Sequence, residues 1–597
     1  LPVKVNGLVR FEGADFYLAD RAVDILDVNG ELHFSETGIE VRQAQARLLG
    51  MDSVLRAATL PVATGEGSTV IGAVGSAAAA DVQRLLPSPP FQRLDGRAAW
   101  QALLTIPARG AEKKGLSLRV TSDLKGMAVN FPEPLGKSAQ QVKKLVLETV
   151  FPRRLDVPMT VQYGSQLRGI FDLDGKMTLQ RGTLTFGGAQ PSMPTQRLIR
   201  IDGKLKRLSL AEWLPVIAAA KRDTGGRHTA VGVGELNLEI EQLLAFERNF
   251  HYTTLALALE SKGGASLWRG DISSHLMGGV LQIPVDFEQE PLVMALDYLI
   301  LPPPQVTDQP STSSDDVNPK SLPAMKINSR YFSYADLPLG SLKLQTTRRP
   351  AGVHIKQLTL LSPLMVLTMS GDWTTTNSAQ HSIFNITINS DDLGEMLSTF
   401  DIADSIRGGQ SEIGIIARWP GAPGAFALER LSGNMHLKVK KGRLLEVEPG
   451  AGRIFGLISL QSIPRRLTLD FSDMFKKGFS FDRMEGDFEI NNGDATTSNF
   501  SVVGPSATIS MSGRVGLATK DYDQDVIVEP HVASSLPVVG AVVGSLGIGA
   551  AILLAQKLLN LNEVTQVRYS VKGSWDDPIV TREKMSVPDS GSEIQEK

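Results

Sequence analysis

The sequence is defined first by what it lacks. It contains no cysteine, which excludes disulfides, thiolate metal sites and cysteine nucleophiles. Its 61 Lys and Arg residues against 64 Asp and Glu residues leave a net charge of −3, so no nucleic-acid partner is predicted. The eight histidines occur singly and form no HExxH pair. We therefore predict no metal site and no cofactor.

Motifs that would indicate catalysis are incomplete. The segment FPEPLGKS, residues 131–138, ends like a phosphate-binding loop, but Phe131 stands where such a loop needs its first glycine. The segment DLDGK begins at Asp172 like a calcium loop, but it lacks the acidic residues that should follow. No residue carries a positive argument for a catalytic role, so we expect no enzyme activity.

One long hydrophobic run stands out near the end of the chain. SSLPVVGAVVGSLGIGAAILLAQKLL extends from Ser534 to Leu559 and is uncharged up to Lys557. Its length would just span a bilayer, but a strand pattern resumes directly after it, and a crossing would separate that strand from its sheet. We predict a helical hairpin over 531–562 that dips into or lies on a membrane; a plug at one end of the sheet is the alternative. The residues predicted to contact the membrane are Leu536, Val538, Val539, Val542, Val543, Leu546, Ile548, Ile552, Leu553 and Leu554.

What the sequence has in abundance is an alternation of apolar and polar residues with a period of two. In VTQVRYSVKGSW, Val567, Tyr569 and Val571 fall on one side of a predicted strand, and Arg568 and Lys572 fall on the other. The segments LMVLTMSGDW, FNITIN and ATISMSGRVGL repeat the pattern. The residues predicted to line this apolar face are Met365, Leu367, Met369, Phe384, Ile386, Ile388, Phe488, Ile490, Phe500, Val502, Ile509, Met511, Val515, Val567, Tyr569 and Val571.

The strands are separated by turn residues, and several of them contain glycine. Asn492-Gly493 and Lys441-Gly442 are typical hairpin turns. Glycines inside strands, such as Gly203 and Gly513, indicate bulges or bends. We predict a mainly β fold with short helices, in which an elongated, curled antiparallel sheet forms a hydrophobic groove and a helical hairpin follows near the C-terminus. A series of sealed β-sandwiches is the alternative.

The predicted organisation has six parts, which are given at the end of this paragraph. Helices are predicted at 138–151, at 209–222 and from Ser390 onward. The Pro-, Ser- and Asp-rich segment after Pro302 predicts a disordered loop. The chain opens in a strand-like segment with no initiator Met, so we expect a C-terminal portion of a longer protein. The parts are a groove segment with covering helices at 1–301, the loop at 302–322, a second groove segment at 323–530, the hairpin at 531–562, a final strand at 563–583 and a disordered tail at 584–597.

Several consecutive motifs after Leu428 resemble those of a known family. They are LERLSGNMHLKVKKGRLLEVEPGAGRIF, VVGPSATISMSGRVGL, SLPVVGAVVGSLGIG and VRYSVKGSWDDP. In this order they resemble the C-terminal region of the YhdP proteins, which are AsmA-like proteins of the Gram-negative envelope. The resemblance implies a bridge-like transporter that carries phospholipid through a groove across the periplasm. It also implies an inner-membrane anchor in the full-length protein and a C-terminal end at the inner leaflet of the outer membrane.

Three functions remain open from the sequence. One is the lipid-conducting bridge, the second is an assembly factor of the outer membrane that binds envelope proteins, and the third is a β-helical enzyme acting on polysaccharide. For the bridge, a charge at Met511 or Val571 is expected to block transport while leaving the fold largely intact. Phospholipid that copurifies with the protein would distinguish the bridge from the other two.

Overall fold

The computed structural model describes most of the chain. The described residues are 5–18, 23–48, 50–60, 67–86, 89–108, 115–151, 157–174, 178–223, 231–245, 248–262, 265–302, 317–445, 478–531 and 566–583. The chain divides into two compact units, Leu1–Val285 and Asp286–Lys597, called unit 1 and unit 2 below. In both units, strands dominate the described residues, which confirms the prediction of a mainly β fold.

Unit 1 is a ladder of strands in which most neighbours in sequence are also neighbours in the sheet. Its strands are β1 Asn6–Leu18, β2 Val23–Ser35, β3 Gly38–Leu48, β4 Met51–Leu60, β5 Ser68–Ala78, β6 Leu94–Ile106, β7 Leu116–Ser122, β8 Met127–Val129, β9 Leu145–Phe151, β10 Met159–Tyr163, β11 Leu167–Leu173, β12 Leu179–Phe186, β13 Ile199–Ser209, β14 Val233–Ala245, β15 Arg248–Lys262, β16 Ala265–Ser273 and β17 Met277–Pro284. Strand β8 leaves this order: it pairs with the first residues of β6, and β7 pairs directly with β9.

Unit 2 continues the same pattern with longer strands. They are β18 Leu292–Leu301, β19 Met325–Tyr334, β20 Leu337–Arg349, β21 Gly352–Leu361, β22 Val366–Thr376, β23 Ala379–Ser390, β24 Ile406–Pro420, β25 Ser432–Leu444, β26 Phe479–Asn491, β27 Asp494–Val503, β28 Ala507–Gly516, β29 Asp521–Pro530, β30 Val567–Ser574 and β31 Pro578–Glu583. Every pairing from β19 to β31 is antiparallel between consecutive strands.

Three pairings among the described strands are parallel, which the sequence analysis did not anticipate: β12 with β13, β13 with β14, and β18 with β19. A parallel pair needs a long connection, because the chain must return to the starting edge of the sheet. The connection from β12 to β13 runs over the polar side of the sheet. There Thr183 and Arg200 both donate hydrogen bonds to the carbonyl oxygen of Ser192, at 2.7 and 2.9 Å.

The described residues contain three α-helices: α1 Ala79–Leu85, α2 Leu210–Asp223 and α3 Leu393–Thr399. The helices predicted after Ser209 and Ser390 are confirmed, although α3 ends at Thr399. The helix predicted at 138–151 is wrong, because residues 145–151 form strand β9. That stretch carries Val, Thr and Phe residues, which fit a pleated surface better than a helix.

The N-terminus of helix α3 is capped by one side chain. Asp392 is its N-cap residue, and its carboxylate accepts a 2.9 Å hydrogen bond from the backbone N–H of Glu395. We predict that Asp392→Ala lowers the free energy of unfolding of unit 2 by about 1 kcal/mol, since one orphan N–H loses its partner. Chemical denaturation of both proteins measures this difference, and Asp392→Asn, which keeps an acceptor, should recover most of it.

Two predicted glycine positions have the backbone geometry that glycine favours. At the turn between β26 and β27, Asn492 and Gly493 have φ values of 48° and 84°. A two-residue type I′ hairpin turn requires such positive φ values at both central residues. Gly513 in β28 has φ 122°, and a Cβ there would meet the carbonyl oxygen of Asp523 on the neighbouring strand. Opposite Gly513, β27 carries a bulge between Thr497 and Phe500. These features confirm the turn at Asn492-Gly493 and the bend at Gly513. The turn predicted at Lys441-Gly442 is wrong, because both residues lie inside β25, where Gly442 pairs with β24 and β26.

Three parts of the predicted organisation lie largely outside the described residues, and the first of them is the loop, of which residues 303–316 are not described. The predicted disordered loop at 302–322 differs from the structure at its end, where Pro319–Ser321 forms a turn of 3-10 helix with Pro319 buried. The hairpin predicted at 531–562 and the tail at 584–597 lie outside the described residues, apart from His531. The six-part division itself stays a prediction.

Candidate functional site

One face of the unit 2 sheet collects the apolar side chains, and we call it the inner face. Strand register places Met369 opposite Ile386, Ile386 opposite Ile415, and Ile415 opposite Met435. Because every second residue of a strand points to the same side, these four side chains form one row across β22 to β25. A second row on the same face contains Leu367, Ile388, Ile413 and Leu437.

The inner face continues across the later strands of unit 2. Register places Phe500 opposite Met511, Met511 opposite Val526, and Val526 opposite Tyr569. A parallel row on the same face contains Met484, Val502, Ile509, Val528 and Val567. The structure therefore brings the sequence-predicted residues together into a single apolar cluster.

The burial of these residues changes along the sheet. Eleven of the sixteen are buried: Met365, Phe384, Phe488, Ile490, Phe500, Val502, Ile509, Met511, Val515, Tyr569 and Val571. The other five pack against the cluster and keep part of their surface exposed: Leu367, Met369, Ile386, Ile388 and Val567. Four of these five lie on β22 and β23, so the inner face is partly open there and sealed from β26 to β29.

The burial of individual residues decides which of them can test for an open groove. Met511 and Val571 are only 3% and 2% exposed, and burial also raises the pKa of the neighbouring Tyr569 hydroxyl. A carboxylate at either position would enter a closed core, so the expectation that the fold survives such a change no longer applies to them. The half-buried residues of β22 and β23 are the better probes of an open groove.

Sequence reasoning missed several residues of the same face. Ile415, Met435 and Val439 belong to the cluster, with Val439 completely buried. Their signal was available, because IGIIARW and NMHLKVK alternate with period two just as the selected strands do. Unit 1 has an apolar face of its own, on which Trp100 and Phe151 are buried among alanines, and we call it the inner face of unit 1. The sequence analysis named no residue on it.

The opposite, outer face of unit 2 is polar. It carries a shallow hollow of about 710 Å³, in which Asp487 lies 2.8 Å from His436 Nδ1 and accepts a 2.8 Å hydrogen bond from Asn499. The hydrogen bonds from Asn499 and then from His436 hold the pKa of Asp487 below its usual range. The Asp487, His436 and Asn499 side chains suit water and polar groups, so this part of the outer face is solvated.

The described residues bear on two further features, metal binding and membrane crossing. No group of three or more His, Asp or Glu side chains in the described ranges could hold a metal ion. Among the helices that the structure describes, none is long and apolar enough to cross a membrane. All ten residues predicted to contact the membrane, from Leu536 to Leu554, lie outside the described part, so their role stays a prediction.

Comparison with known proteins identifies the family. The family described as YhdP protein matches residues 2–580. The intermembrane phospholipid transporter YhdP of Escherichia coli (strain K12) is 22% identical over 514 residues. That match covers 83% of this chain and 39% of the relative, so the chain corresponds to well under half of the relative's length. With nearly its whole length matched, the chain belongs to the YhdP family.

Proposed function

We propose that this chain conducts phospholipid between the inner and outer membranes, with the acyl chains held against the inner face of its sheets. The full-length protein would be anchored in the inner membrane, cross the periplasm and reach the outer membrane with its C-terminal end. Residues 534–559 would contact the inner leaflet there. Envelope proteins are further candidate partners, and no enzyme activity is part of the proposal.

One observation carries the proposal: the half-buried apolar rows of β22 and β23. Leu367, Met369, Ile386 and Ile388 lie side by side on the inner face and keep part of their surface accessible. Exposed apolar surface of this kind is unfavourable in water and favourable against an acyl chain. The name of the relative, an intermembrane phospholipid transporter, supports the same cargo.

The physical gain from such a face is large enough to hold a lipid. Each methylene removed from water contributes roughly 0.8 kcal/mol, so a sixteen-carbon chain gains on the order of 10 kcal/mol if it is fully covered. Because this attraction has no direction, a chain can slide past successive Leu, Ile and Met side chains without a strong barrier. Polar head groups would stay in water.

The first test is the lipid content of the purified protein. We expect organic extracts to contain phospholipid in an amount comparable to that of the protein, identified by mass spectrometry against a soluble protein of similar size purified in the same way. A protein that carries no phospholipid and does not take it up from vesicles would contradict the proposal. That result would favour the assembly factor, which needs no lipid.

A further inference from the structure

Residues 123–144 of unit 1 leave the ladder of strands and form a separate element, which we call the lid. In the sequence the lid lies between β7 and β9, and these two strands pair directly with each other. Inside the lid, β8 pairs with the start of β6, with Met127 opposite Gly96 and Val129 opposite Leu94. This pairing ties one end of the lid to β6.

The lid covers part of the inner face of unit 1. Leu124 and Met127 are buried and cluster with Ala98, Leu145 and Tyr163, which strand register places on the inner face of β6, β9 and β10. The hydroxyl of Tyr163 donates a 2.7 Å hydrogen bond to the carbonyl oxygen of Leu135 in the lid. Burial raises the pKa of Tyr163 to about 12. The lid is therefore seated on the same apolar surface that would hold acyl chains.

The lid is held together by a buried cation. Lys137 is 6% exposed, and its ammonium group donates hydrogen bonds to the carbonyl oxygens of Leu124 at 2.8 Å and Met127 at 2.5 Å. Lys143 donates to the carbonyl oxygen of Pro134 at 3.1 Å and lies 4.3 Å from the centre of the Tyr163 ring. Burial lowers the pKa of both lysines. These contacts hold the residues of the lid to one another.

The far end of the lid reaches α2 and the end of β13. Trp213 Nε1 donates a 2.9 Å hydrogen bond to the carbonyl oxygen of Glu133, and the rings of Trp213 and Phe131 stack at 6.1 Å. Arg207 Nη1 lies 3.6 Å from the carboxylate of Glu133, and Arg207 Nη2 donates a 3.3 Å hydrogen bond to the carboxylate of Glu212 in the first turn of α2. The Arg207 and Glu133 side chains are 41% and 70% exposed, and an exposed ion pair is weak, so this contact holds the lid less firmly than the strand pairing with β6 does.

We propose that the lid is a movable cover over the inner face of β6, β9 and β10, and that it must lift from α2 for a phospholipid head group to pass. The proposal rests on the proposed function. Acyl chains can slide along the apolar floor, but a hydrated phosphodiester group cannot pass between Leu124 and Tyr163. When the head group arrives, its phosphate replaces the Glu133 carboxylate at Arg207, because a guanidinium binds either anion in the same geometry.

The test uses the absence of cysteine from the chain. Cysteines introduced by Phe131→Cys and Trp213→Cys are joined with a short, cleavable bismaleimide, which fixes the lid to α2. A photo-crosslinking amino acid at Val161, on the inner face beside Tyr163, reports lipid beneath the lid, and the same probe at Ile386 reports lipid in unit 2. The protein is mixed with vesicles that contain radiolabelled phosphatidylethanolamine and phosphatidylglycerol.

We expect linking to reduce labelling at Val161 at least tenfold, to leave labelling at Ile386 unchanged, and to be reversed when the linker is cleaved. Cysteines at Thr254 and Ser273, exposed partners on β15 and β16, receive the same linker as a control and should change neither site. Equal labelling at Val161 with the lid fixed or free would contradict the proposal that the lid must lift, but it would not contradict the proposed groove. No labelling at either site, even without the linker, would overturn the proposed function together with the lid.

Discussion

Ile386→Asp is expected to reduce phospholipid loading of unit 2 at least tenfold while the chain remains folded. Ile386 lies in the middle of the half-buried row between Met369 and Ile415. A carboxylate there would face the acyl chain, and placing a charge against hydrocarbon costs several kcal/mol unless the group takes up a proton. Since each 1.4 kcal/mol changes an equilibrium constant tenfold, even part of this cost removes most of the bound lipid.

The fold should survive this change because the site is not sealed. A carboxylate at a partly exposed position can turn toward water, so we expect a loss of about 2 kcal/mol in the free energy of unfolding at most. Asn385→Asp is the matched control, because it adds the same charge one residue away on the exposed, outer face of the same strand. Copurified phospholipid and uptake from vesicles measure loading, and circular dichroism checks the fold.

The comparison of the two variants decides whether the inner face carries lipid. Equal loading of Ile386→Asp, Asn385→Asp and the unchanged protein would mean that acyl chains do not contact this row. A loss of loading in both variants would point to net charge rather than to the face, and the groove assignment would then be abandoned.

Much of the fold was predictable from the sequence, because apolar and polar side chains alternate along a strand with a period of two. The alternation around Tyr569 and Met511 fixed which residues share a face, and the register of β28 to β30 places them side by side. The turn at Asn492-Gly493 was predictable for a local reason, since few other residues adopt its backbone angles. Such local rules need no knowledge of the rest of the chain.

The parallel pairs and the lid were not predictable in the same way. The segment 138–151 mixes lysines with apolar residues and favours a helix when viewed alone, yet Leu145 to Phe151 pair with β7 and β10. Pairing partners that lie far apart in sequence decide this outcome, and a local pattern does not contain them. Burial along the inner face also depends on parts of the chain that lie far apart in sequence. Alternation alone does not show whether an apolar face is open, as at Ile386, or sealed, as at Met511.

Met511→Asp is expected to unfold unit 2 at neutral pH. Met511 is 3% exposed and lies between Phe500 and Val526, both of which are buried more deeply still. A carboxylate in this position has no water and no partner of opposite charge on the neighbouring strands. Large destabilisation by a single substitution commonly arises from such a buried charge, and its cost of roughly 5 kcal/mol is comparable to the whole stability of a domain.

The pH dependence of Met511→Asp separates charge burial from loss of packing. Burial favours the neutral acid, so the introduced carboxyl would have a folded-state pKa above its unfolded value of about 3.9. The folded state then binds more protons than the unfolded state, and stability relative to the unchanged protein should fall as pH rises above about 4. Circular dichroism between pH 4 and pH 7, with urea denaturation at each pH where the variant is folded, measures this, with Met511→Leu as the apolar control. A penalty equal at both pH values would show that the side chain reaches water, and the inner face at β28 would then be open rather than sealed.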